Sequence, residues 1–139
     1  MNDITIAQTA SKFSDCPFCL GDLTGEKGWD CISSIRHFYL SQGLPFPDEF
    51  EGFTLSNYAE RWKAGEGRKE LRDFLLQIGQ PVEENYSRRG DLFVFDINRQ
   101  IFGGISLGNG HISIIFDVGG RVIPVCFFKK YIIGIRRLG

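Results

Sequence analysis

An excess of charge of either sign is missing from this sequence. Lys and Arg number 16 against 17 Asp and Glu, a net charge of -1 over 139 residues. The charges are also scattered, which removes the basic footprint that a nucleic-acid binder needs. No apolar run approaches the roughly 20 residues of a membrane-spanning helix, so no membrane span is expected. The start, Met1-Asn2-Asp3-Ile4-Thr5, has neither a basic end nor an apolar core. No secretory signal is read there. Folding in a cytoplasm is then the default expectation, and disulfides are not expected. Histidine is scarce. His37 and His111 are the two in the chain, so any chemistry that needs an imidazole has two candidates.

What is present suits one domain over residues 1–139. Hydrophobic residues make up 42% and aromatic residues 14%, with 13 Phe, enough for a packed core in a chain of this length. A short helical face runs from Asp3 to Lys12 and breaks at Ser14-Asp15-Cys16-Pro17. Leu20 to Lys27 reads as loop. Ile32, Ile35, Phe38 and Tyr39 repeat at three-and-four spacing, the pattern of a buried helix face. Asp30 is placed to cap that helix and Gly43 to stop it. Leu44 to Phe53 reads as loop pinned by Phe46, Phe50 and Phe53. Two further helices are expected, Ser56 to Ala64 and Arg68 to Ile78. After Gln80-Pro81 the period changes. Strands are expected at Leu92 to Asp96, Ile101 to Leu107, His111 to Phe116, Arg121 to Phe128 and Tyr131 to Ile135. Gly108-Asn109-Gly110 is a strong hairpin turn. Helices first and antiparallel strands after make the class α+β.

The chemistry-bearing stretch is Gly28-Trp29-Asp30-Cys31. It delivers Cys31 to the positive end of a helix, where a thiolate is favoured and the thiol pKa is expected to fall. A buried free cysteine that only packs is the plainer alternative. Cys16-Pro17-Phe18-Cys19 is a CxxC, and with Cys31 and Cys126 a Cys-ligated metal is formally open. Without a second CxxC, reduced and partly buried thiols are the better reading of Cys16, Cys19 and Cys126, and neither metal nor cofactor is expected. His37 lies six residues past Cys31, about 600° around the helix, and is a poor base. Asp30 and Asp91 read as a cap and a turn residue, and Asp96 is a further acidic candidate.

A cysteine-headed helix followed by an antiparallel sheet is the layout of papain-like cysteine peptidases, in which a histidine on the sheet activates the cysteine. From Pro17 to Arg137 the chain resembles the NlpC-type cell-wall peptidases, above all their small phage tail-tip versions. Gly28-Trp29-Asp30-Cys31 looks like the nucleophile motif. Asn57-Tyr58-Ala59-Glu60-Arg61-Trp62 resembles a segment of the phage versions. Arg89 to Phe95, Gly104 to Gly110 and Tyr131 to Arg137 resemble three strands of the sheet, in order. The resemblance implies N-terminal helices packed on a C-terminal antiparallel sheet, with Cys31 as nucleophile. It also carries a departure. Phe102 stands in the place of the family's histidine, and Ile114 or Ser113 in the place of its orienting polar residue. A second alignment makes His111 the base, with Gly103 to Gly110 an inserted hairpin and the orienting place near Ile123 or Pro124.

Two functions follow as expectations. One is a structural tail-tip or baseplate component of a phage or phage-like particle, with a decayed active site. Its partners would be hub and neighbouring tail proteins, and it would be assembled in the host cytoplasm and carried in the virion. The alternative is an active cysteine endopeptidase or amidase, with Cys31 and His111 catalytic, that cuts peptidoglycan stem peptides during genome delivery.

Overall fold

The computed structural model describes Gln8 and residues 11–139. Most of the helical face expected from Asp3 to Lys12 lies outside the described residues. Helix α1 (Cys31–Ser41) begins at a capping box. Asp30 accepts from the Ser33 backbone N–H at 2.7 Å, and the Asp30 backbone N–H donates to Ser33 Oγ at 3.0 Å. Two orphan donors of the first turn are thereby satisfied. The buried face is the one the spacing predicts: Ile32, Ile35, Phe38 and Tyr39 are buried. Gly43 stops the helix with φ +74°, a conformation that glycine adopts without steric cost.

The segment expected as plain loop from Leu44 to Phe53 contains a small hairpin, β1 (Glu49–Phe50) with β2 (Phe53–Thr54). Its turn takes Glu51 and Gly52 at positive φ, and the Phe53 ring stacks on Phe74 with centroids 4.0 Å apart. Helices α2 (Tyr58–Lys63) and α3 (Arg68–Gln77) follow. Then comes β3 (Gln80–Pro81), which the sequence reading did not anticipate because two paired residues leave no periodicity.

Strands β4 (Leu92–Ile97), β5 (Gln100–Gly108), β6 (His111–Phe116), β7 (Gly119–Pro124) and β8 (Ile132–Arg137) complete the sheet. Its order is β3-β8-β4-β5-β6-β7, antiparallel throughout. The fourth expected strand is shifted. It starts at Gly119, where the Gly120 N–H donates to the Cys16 carbonyl at 3.0 Å, and ends at Pro124. Proline cannot donate to a ladder, and residues 125–127 and 129–131 form two short 3-10 turns instead.

Alternation along the strands divides the core into two. Leu92, Val94, Ile101, Ile105 and Ile115 face the helices and pack with Ile32, Ile35, Phe38, Leu71, Phe74 and Leu75. Phe93, Phe95, Ile112, Ile114, Ile123 and Ile135 face the other way, where Val125, Phe128 and Tyr131 of the β7–β8 connection cover them. The ends of β4 and β8 are locked together by a buried ion pair. Arg137 Nε and Nη2 donate to the two oxygens of Asp91 at 2.9 and 2.8 Å, and Asp91 is 2% exposed. Asp91 is more than the turn residue expected from sequence.

Helix α1 sits close on β5 because position 103 has no side chain. A Cβ on Gly103 would lie 2.6 Å from Ile35 Cδ1 and 3.3 Å from Leu92 Cδ1. Gly103→Ala should therefore overpack the interface and cost about 1–3 kcal/mol. A lowered urea midpoint with an unchanged slope is the expected readout; an unchanged midpoint would mean that α1 is not seated on β5 in this way.

Candidate functional site

The N-terminus of α1 opens into a cleft of about 260 Å³. Cys31 and Asp30 lie at the helix start, Tyr58 and Trp62 come from α2, and Ile101 and Phe102 from the start of β5. Phe18, Leu20 and Ile115 make the lining mainly apolar, with Gln100 and Asp117 as exposed polar members.

Asp30 organises this end of the molecule. It is 2% exposed. Besides capping α1, its Oδ2 accepts from the Gly21 N–H at 2.7 Å and from the Tyr58 hydroxyl at 2.6 Å. Burial, and the Asp30 carboxylate next to it, push the Tyr58 hydroxyl pKa far up, so it stays a donor. The backbone between Cys16 and Asp30 is held by a short bridge. The Trp29 N–H donates to the Pro17 carbonyl at 2.9 Å and the Cys19 N–H to the Trp29 carbonyl at 3.1 Å. This places Phe18 on the cleft wall.

The thiol of Cys31 is not activated. Sequence position alone predicted a lowered pKa at a helix N-terminus. Burial instead pushes the thiol up to about 12, and the neighbouring Asp30 carboxylate adds to the shift. Backbone hydrogen bonding from Gly103 and the first turn opposes this and does not overcome it. Desolvating a charge costs more here than the partial charge of one helix end returns.

No histidine shares the cleft. His111 is exposed at the far end of β6, its Nδ1 3.0 Å from the Asn109 carbonyl. Ile115, four residues along the same strand, is the β6 residue that reaches the cleft. Four residues of strand are about 13 Å. The structure therefore does not bring His111 to Cys31. His37 accepts from the Lys12 ammonium at 2.9 Å and packs on Trp29 with ring centroids 4.9 Å apart. Its burial, with Lys12 and Arg36 nearby, lowers its pKa, as suits a structural imidazole. Phe102 lies at the cleft edge, and its ring packs edge-on against Phe116 at 5.2 Å, with the far-side core. Ile114 and Ile123 are buried in that same far-side core, and Ser113 is buried in β6. Asp96 is paired with Arg68.

The cysteines do not assemble either. Cys16, Cys19 and Cys31 are partly buried free thiols, and Cys126 is exposed rather than partly buried, because the strand expected around it ends at Pro124. Among the described residues no three His, Cys, Asp or Glu side chains stand together as a metal site. The sequence reading missed Tyr58 and Trp62 as cleft residues. Their helical spacing was legible, but not the loop geometry that swings α2 over the head of α1.

No family model and no curated protein matches the chain. Solved structures do. An NlpC/P60 family protein from Bacillus cereus superposes with a TM-score of 0.70 at 16% identity, over 99% of this chain and 40% of that one. The NlpC/p60 domain of the peptidoglycan hydrolase SagA gives 0.62 at 18% identity, over 99% of both chains. RipD of Mycobacterium tuberculosis, described as a non-catalytic NlpC/p60 domain protein adapted to a peptidoglycan-binding function, gives 0.55 at 20% identity, over 98% and 93%. The fold is thus that of NlpC/P60 proteins, with α1 and the sheet as that resemblance implied.

Two outcomes test the site. Folding raises the Cys31 pKa, so the native state holds the proton where the unfolded chain has released it. That contribution is complete below the ordinary value of 9.0 and is lost as pH rises from there toward about 12. Between pH 8 and 10 the urea midpoint of the wild type should fall further than that of Cys31→Ala; parallel decline would show that the thiol is not desolvated. Tyr58→Phe, which leaves Asp30 Oδ2 one donor short, should cost about 1–3 kcal/mol in chemical denaturation.

Proposed function

We propose that this chain is a non-catalytic binding and structural module built on an NlpC/P60-type fold. In this reading it serves as a tail-tip or baseplate component of a phage or phage-like particle, assembled in the host cytoplasm. The observation that carries the non-catalytic part is the cleft itself. A cysteine peptidase needs a thiolate and a base within about 2.6–3.2 Å or one water of it. Here the thiol is held protonated and the strand position that meets it carries Ile101 and Gly103 on the helix side. An apolar cleft with polar residues at its edge suits holding a ligand or a neighbouring protein better than attacking an amide. RipD supports the idea that this fold is used for binding without cutting. The tail-tip part rests on the segments that resemble phage versions, chiefly Asn57 to Trp62, and its natural partners are hub and neighbouring tail proteins.

Incubation with purified peptidoglycan separates the readings. The wild type should release no more muropeptide than Cys31→Ala does, and alkylation with iodoacetamide near pH 7 should leave Cys31 unmodified. Release that depends on both Cys31 and His111 would instead establish an active peptidase. Purified particles of the encoding phage should contain the chain by mass spectrometry; complete particles that lack it would remove the tail-tip assignment.

A further inference from the structure

A second concavity, of about 690 Å³, lies at the opposite end of α1 from Cys31. Its walls are Gln42 and Leu44 beyond the helix, residues 87–91 before β4, the β5–β6 turn at Gly108, and the end of β8. Three arginines line it, Arg88, Arg89 and Arg137, against one carboxylate, Asp91. That is a local positive excess in a chain of net charge -1.

The carboxylate is already committed. Asp91 is buried, takes the Arg137 fork, and accepts the Arg88 backbone N–H at 2.8 Å. Arg137 is thereby immobilised, and its Nη2 also donates to the Tyr86 carbonyl at 2.9 Å. Its Nη1 has no acceptor among the described residues. Arg88 and Arg89 are exposed. The Arg89 side chain lies along the turn at Gly108, where a Cβ would come within 3.1 Å of its Nε. Only glycine at this positive-φ position leaves room for it. Gln42 adds a buried side-chain nitrogen without a hydrogen-bond partner. An amide NH₂ and a guanidinium can only donate, so this wall presents donors and positive charge and calls for an acceptor that is itself charged. Guanidinium groups pair with carboxylate and phosphate through two parallel bonds.

We propose that this groove binds an oligoanion carrying phosphate or carboxylate groups, with Arg88 and Arg89 as exposed charge partners and Arg137 as a donor held in place by Asp91. The proposal does not depend on the state of the Cys31 cleft. It predicts a ligand that bridges the 87–91 turn and the end of β8.

Isothermal titration of the whole chain with short inorganic polyphosphate and, separately, with poly-L-glutamate tests it. At low salt at least one probe should bind saturably, and binding should weaken with added salt. Arg88→Ala with Arg89→Ala should lower the affinity about tenfold or more, as expected for lost charged hydrogen bonds. Arg72→Ala, remote on α3, should leave it unchanged. Polyphosphate alone binding assigns a phosphate-bearing ligand, and polyglutamate alone a carboxylate-bearing one. If the double variant does not fold, Arg88→Ala by itself should show a partial loss. Failure of both probes to bind, full affinity in the arginine variants, or an equal loss in Arg72→Ala would overturn the proposal.

Discussion

Asp30 accepts hydrogen bonds from three separate parts of the chain: the first turn of its own helix, the loop at Gly21, and Tyr58 on α2. A carboxylate 2% exposed would be costly if any of these were lost, because a buried charge needs its full set of donors. The same three bonds fix the geometry of the cleft. They set the start of α1, hold the loop that carries Phe18 and Leu20, and bring Tyr58 and Trp62 across the top. The residue that shapes the site thus also suppresses the chemistry of its neighbour, since a fixed negative charge beside Cys31 opposes the thiolate. In a peptidase that opposition would have to be overcome by an imidazolium. Here the wall opposite the thiol is aliphatic.

The sheet divides its work by face. Its helix-side residues are aliphatic and small where α1 approaches, which lets the helix lie close at Gly103. Its far face is aromatic, and the β7–β8 connection folds over it. Because side chains alternate, a residue's parity in the strand decides which of these environments it enters. Phe102 belongs by parity with Phe95 and Phe116, so it closes the cleft edge while anchoring on the far side. His111 has the parity of Ile115, but it stands a strand-length away from the thiol. The opposite end of the sheet is polar. There the Asp91–Arg137 pair ties β4 to β8, and the arginine-lined groove opens beside it. Apolar and cationic recognition are therefore kept at separate ends of α1.

Most elements were legible in local pattern. The apolar spacing of α1, the Asp30 cap and the Gly43 stop came through because capping and amphipathicity are short-range effects. The Gly108–Gly110 turn did so as well, since positive φ values demand particular residues there. The misses are non-local. The two-residue strand β3 exists only because β8 lies beside it. The start of β7 is set by hydrogen bonds to residues 15 and 16, more than a hundred positions away. The second hairpin strand at Phe53 depends on the Phe74 ring beneath it.

The sequence by itself determined the class, α helices ahead of an antiparallel sheet, and placed a cysteine at a helix head, because periodicity and capping residues act within a few positions. Only the tertiary structure decided what that cysteine is. Its ionisation depends on burial and on the groups that converge from α2, β5 and β6, and whether a histidine reaches it depends on strand register and length. Those are properties of residues far apart in the chain, and no local signal encodes them.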